Sequence, residues 1–161
     1  MADDCVCARV PCTRLICLLA ALFLRLAAAA ETLDLNTDAA NCRVDLDGAR
    51  ITSLRIGGAE MLWNDNPPQK GAVDWAHGGM PLCWPRFGVD NVGRIHGDAW
   101  RRRFAIRRYA SGSSRTELVL ELSAGQAGLE YSIVLTDRLT LEMTTTNAGT
   151  NDFLCSYGLH P

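Results

Sequence analysis

Past about residue 30, apolar and polar positions alternate in one short run after another. Cys42 to Leu46 alternates, and Asp47-Gly48 follows with the dipeptide that favours a tight hairpin turn. Ile51, Leu54 and Ile56 carry the next run, and Gly57-Gly58 turns the chain before Met61-Leu62-Trp63. Pro67-Pro68, inside the segment from Asn64 to Lys70, marks an exposed loop. Phe104 to Tyr109 predicts a strand and Ser111-Gly112-Ser113-Ser114 a turn. Thr116 to Ser123 then places Leu118, Leu120 and Leu122 on one face of a strand. After a turn over Gly125 to Gly128, Tyr131, Ile133 and Leu135 form another alternating run. Leu139, Leu141 and Met143 form the last, closed by Asn147-Ala148-Gly149. No segment beyond the N-terminal leader sustains a helical period. Short strands at close, regular spacing predict an all-β antiparallel sandwich built of hairpins.

The leader is a different kind of sequence. Leu15 to Ala30 is almost wholly apolar, is preceded by Arg9 and Arg14, and ends in four alanines before Glu31. Basic flank, short apolar core and small-residue exit predict a secretory signal peptide over residues 1–30, hence a periplasmic or extracellular protein. Asp3, Asp4 and Arg25 depart from that pattern, and the other reading is a mis-assigned start on a cytoplasmic chain. The uninterrupted run is too short for a stable membrane span. The fold is therefore placed in residues 31–161.

Composition narrows the function. Hydrophobic residues at 48% and charged residues at 21% are ordinary globular values, and the net charge of −2 gives no reason to expect a nucleic acid partner. Outside the leader, Cys42, Cys83 and Cys155 are too scattered for a disulfide framework or a metal site. No metal is expected.

The chemistry concentrates in Gly78-Gly79-Met80-Pro81-Leu82-Cys83-Trp84-Pro85-Arg86-Phe87-Gly88, with His96-Gly97 shortly after. Three glycines, two prolines, a tryptophan and a phenylalanine in eleven residues describe a loop held in one shape. Such a loop followed by a histidine suits either the wall of a small-molecule pocket or a buried Pro/Trp corner.

These residues resemble the GG(I/V)P-x-CWPWFG and HGFAR signature of the hexose-6-phosphate mutarotases, the glucose-6-phosphate 1-epimerase branch of the aldose 1-epimerase superfamily. The run from Gly48 to Leu54 and Glu60-Met61-Leu62-Trp63-Asn64 resemble the family's opening hairpin. Leu139 to Asn147 and Gly158-Leu159-His160 resemble its L-x-V-x-N-x-G and A-L-H-T-Y-F stretches. The similarity runs from about residue 35 to the last residue and covers about the first half of a typical member. It implies a galactose-mutarotase-like antiparallel β-sandwich, here incomplete, with unpaired sheet edges that favour self-association. It implies interconversion of the anomers of a hexose or hexose 6-phosphate without a metal or organic cofactor. By motif position His160 is the acid that protonates the ring oxygen, and His96 binds the sugar near the reacting carbon. The alternative for each histidine is to satisfy buried backbone groups at a strand end. The family's general base, a glutamate, and a sugar-binding aspartate fall in its second half, so catalysis by this chain is expected to be impaired.

The chain departs from the phosphate-binding members at several positions. Arginines expected before Gly78 and in the HGFAR motif are His77 and Trp100, the motif phenylalanine is Asp98, and Arg86 replaces a tryptophan. Arg101, Arg102 or Arg103 would restore a phosphate clamp if the following strand starts one residue out of register. Trp84 and Trp100 would instead stack on a neutral sugar ring. His77, Arg86, Trp100 and Arg101 are thus the substrate-binding candidates beside His96. The rival to an isomerase is a carbohydrate-binding or interaction sandwich that has lost the chemistry.

Overall fold

The computed structural model describes residues 31–63 and 78–161. The leader, the expected loop from Asn64 to Lys70, and His77 lie outside the described residues.

Two four-stranded antiparallel sheets and a small two-stranded ladder make up the described chain. The first sheet runs β1 (Thr32–Asn36), β2 (Ala40–Asp45), β3 (Arg50–Ile56) and β4 (Ala59–Glu60) in sequence order. The second runs β6 (Ala105–Ala110), β7 (Thr116–Ala124), β8 (Ala127–Leu135) and β9 (Leu139–Asn147), again in order. Between them in sequence comes β5 (Leu82–Cys83), which pairs with β10 (Gly158–Leu159) near the end of the chain. No helix among the described residues is long and apolar enough to cross a membrane.

Alternation drives the second sheet. In β8 every odd position from Ala127 to Leu135 is buried and every even one is half-buried, the pattern of a strand with one face on a core. β7 and β8 pair in unbroken register from Thr116↔Leu135 to Ala124↔Ala127. Gly125, at φ +63°, opens their two-residue turn with the left-handed backbone that a tight hairpin demands there. Leu118, Leu120, Leu129, Tyr131 and Ile133 then pack with Leu35, Cys42, Val44 and Ile51 of the first sheet in one continuous core. This is the all-β sandwich that the alternation predicts.

Two strands depart from strict alternation. Bulges between Arg43 and Val44 and between Ile106 and Arg108 shift the pairing by one residue and turn the strands locally. β6 is exposed along its whole length, and the apolar anchor of that segment is Phe104, buried just before the strand begins.

Two groups in the core are chemically silent. Burial pushes the Cys42 thiol up to about 12, and the Tyr131 phenol is likewise raised by loss of hydration. The Tyr131 hydroxyl finds no hydrogen-bond partner among the described residues. Replacing Ile133 by Ala should cost about 2–5 kcal/mol of stability, because the side chain is completely buried and leaves a cavity. Tyr131→Phe should be neutral or stabilising in the same urea titration, since it removes a polar atom buried without compensation.

Candidate functional site

The signature loop is stapled to the core at both ends. Met80 exchanges backbone hydrogen bonds with Ile51 of β3, donating at 2.7 Å and accepting at 3.3 Å. Gly79 lies against the same strand so closely that a Cβ would stand 2.5 Å from the Ile51 carbonyl oxygen. After β5 the chain reaches Trp84, which is fully buried and donates its indole N–H to Thr145 Oγ1 of β9 at 2.9 Å. Its carbonyl accepts the N–H groups of Asp98 at 3.3 Å and Ala99 at 3.2 Å. Gly97 passes over that carbonyl, where a Cβ would come within 2.3 Å of the oxygen. The Trp84-Pro85 peptide is cis.

Beyond Pro85 the loop opens outward and is tied to the segment before β10. Ser156 donates its N–H to the Pro85 carbonyl at 2.9 Å, and its hydroxyl accepts the Phe87 N–H at 2.9 Å. Gly88 and His96 then clasp each other. His96 donates its N–H to the Gly88 carbonyl at 2.8 Å, and the Gly88 N–H donates to His96 Nδ1 at 3.1 Å. Asp90 closes the hairpin between them by accepting from the Val92 and Arg94 backbone and from Arg94 Nε at 2.7–3.0 Å.

The β5–β10 ladder sets His160 across from Pro81, whose carbonyl accepts its N–H at 3.2 Å. This brings the two motif histidines together. The rings of His96 and His160 are 5.4 Å apart, edge to face, with Phe87 at 5.1 Å from the first and 6.5 Å from the second. Phe87 is 49% exposed, so part of its side chain is open to solvent beside the two imidazoles. Lost hydration, and secondly the charge of His160, hold His96 below the usual histidine range. Two imidazoles beside an aromatic side chain can offer hydrogen bonds and an apolar contact to a polyhydroxylated ring.

The other candidates sit apart from this pair. Arg86 is exposed on a cleft of about 280 Å³ that it shares with Asp90, Arg94 and Asp98. Trp100, on the 3-10 turn Ala99–Arg101, donates its indole N–H to the Gly97 carbonyl at 3.2 Å, and the Arg101 guanidinium lies 4.0 Å over its ring. These two side chains thus engage each other. Arg102 pairs with Asp98 and the Ser123 carbonyl, and Arg103 with Glu31 and Asp47. Trp84, expected as a stacking surface, is instead a core residue, because the sandwich interior offers its indole N–H a partner in Thr145. Sequence reasoning passed over Phe87 and Ser156. The signal for Phe87 is Gly158, where a Cβ would meet the Phe87 ring at 2.7 Å.

Comparison with solved structures decides the architecture. A galactose mutarotase-like protein from Lactobacillus casei matches 81% of this chain with a TM-score of 0.65 at 18% identity. The fold is that of the galactose mutarotases. HI1317, a second solved structure, matches 74% of this chain at 26% identity with a TM-score of 0.56. No protein-family profile matches the chain. In sequence, 90 residues are 32% identical to a Salmonella typhimurium protein provisionally named a glucose-6-phosphate 1-epimerase. The sequence resemblance is to that relative, and the solved structures show the fold. The mutarotase-like chain spans 30% of the Salmonella protein and 45–49% of the two solved neighbours.

Two glycines of this site should respond differently to a methyl group. Gly97→Ala meets backbone at φ +69° and should lower the melting temperature by several degrees, a loss on the order of 1–3 kcal/mol. Gly158→Ala meets only the half-exposed Phe87 ring, which can yield, and should leave the melting temperature almost unchanged. Acid should also act through His96. Its folded form takes up a proton less readily than the unfolded chain, so stability is full above the unfolded value of 6.5 and declines as pH falls below it. In urea unfolding between about pH 7 and pH 5, His96→Asn should flatten that decline.

Proposed function

We propose that the loop from Gly78 to Gly88, together with His96 and His160, forms the sugar-facing wall of a mutarotation site for a hexose or hexose 6-phosphate. The observation that carries this is the edge-to-face approach of the two histidine rings, 5.4 Å apart, beside the partly exposed side chain of Phe87. Mutarotation needs little more than proton transfer. A base takes the proton of the anomeric hydroxyl while an acid protonates the ring oxygen. The C1–O5 bond breaks and the aldehyde forms. Rotation about C1–C2 and closure from the other face return both protons and give the other anomer.

His160 is the acid on this account and His96 the hydrogen-bond donor that holds the sugar beside it. The pair is suited to the work, since imidazole gives and takes protons near neutral pH. Phe87 offers a flat apolar surface to the C–H face of the ring. The base is not assigned to any residue of the chain. One observation favours a neutral hexose over its phosphate. The cleft of Arg86 balances two arginines, Arg86 and Arg94, with two carboxylates, Asp90 and Asp98, and Arg101 lies on Trp100.

Polarimetry tests this directly with the full chain and fresh α-D-glucose or α-D-glucose 6-phosphate. Relaxation should be faster than in buffer, and His160→Ala should remove the gain, since a general acid contributes about 10²–10⁴-fold. A folded sample that binds the sugar without accelerating its relaxation would identify a carbohydrate-binding module and overturn the enzymatic proposal.

A further inference from the structure

The Gly88–His96 clasp has a chemical result that backbone pairing alone would not give. Gly88 offers its N–H to Nδ1 of the imidazole at 3.1 Å, so that nitrogen must carry a lone pair. A neutral histidine with Nδ1 bare has its proton on Nε2. The reciprocal bond from the His96 N–H to the Gly88 carbonyl, 2.8 Å, fixes the backbone from which the ring projects. Its left-handed φ of +61° is a conformation that histidine and asparagine tolerate better than most residues. Phe87, 5.1 Å away, packs beside the imidazole and limits its rotation.

We infer that the Gly88 backbone amide is a positioning group that locks His96 in the Nε2–H form and makes it a neutral, fixed hydrogen-bond donor in the site. An imidazolium carries N–H at both nitrogens, so protonating His96 would turn the Gly88 contact into donor against donor and break the clasp. Among the described residues His160 faces it, and its charge opposes protonation of His96. The two histidines therefore divide their labour. His96 donates without ionising, and the cycling proton belongs to His160. That division rests on the mutarotation proposal, whereas the locked ring form does not.

The test reads the ring itself. The chain has three histidines, so long-range proton–nitrogen correlation on the ¹⁵N-labelled full chain can be assigned with His77→Gln and His160→Gln. At neutral pH His96 should show an unprotonated Nδ1 and a protonated Nε2. His96→Asn, whose side-chain oxygen takes the place of Nδ1, should keep the Gly88 amide protected from hydrogen exchange. His96→Ala should make that amide exchange roughly two- to twelvefold faster, the worth of one ordinary hydrogen bond. A protonated Nδ1, tautomer-averaged signals, or a Gly88 exchange rate indifferent to His96→Ala would overturn the inference. A chain that shows the locked ring but no acceleration of mutarotation would sink the proposed activity and leave the clasp standing.

Discussion

The peptide carbonyl of Trp84 is the point on which the site turns. It lies at the edge of the core and accepts two N–H groups from Asp98 and Ala99, while Gly97 crosses it with no room for a side chain. The Trp84 ring is held below by its bond to Thr145, which keeps its carbonyl against the segment that follows His96. The loop and the hairpin from Gly88 to His96 are thereby referenced to the same buried residue. Without this anchor, the polar clasp between Gly88 and His96 would be a contact between two mobile surface segments. Exposed hydrogen bonds of that kind contribute little by themselves.

The second histidine arrives by a separate route. β10 is only two residues long, and two backbone pairs alone would not hold such a strand in place. It is supported by neighbours: Ser156 bonds to Pro85 and Phe87, and Cys155 approaches Thr145, the hydroxyl that holds Trp84. The anchor, the loop and the end of the chain thus share one small network. A change at Thr145 or Ser156 reaches both histidines, although neither residue touches a ring.

Much of the fold was legible because the second sheet is so regular. Leu118, Leu120 and Leu122, and then Tyr131, Ile133 and Leu135, repeat with period two over strands long enough for the pattern to rise above chance. β1 was not legible, since Thr32-Leu33-Asp34-Leu35-Asn36 buries only Leu35. β5 and β10 are too short to carry any period. The proximity of His96 and His160 depends on β5 pairing with β10 across roughly half of the sequence, and no local pattern encodes that. It was reached through the motif resemblance alone. The exchange of roles between Trp84 and Phe87 shows a further limit. By type the tryptophan is the better stacking surface, but a buried hydroxyl satisfies its N–H, and the phenylalanine is left at the mouth.

The central claim is that this network presents a sugar-binding wall made of Phe87, His96 and His160. Chemical-shift mapping of the ¹⁵N-labelled full chain during titration with glucose, and separately with glucose 6-phosphate, tests it most directly. The account predicts saturable shifts concentrated at Phe87, Gly88, His96 and His160, and their loss in a Phe87→Ala variant that remains folded. Shifts confined to the outer strand faces, or no saturable shift at all from a folded chain, would contradict it.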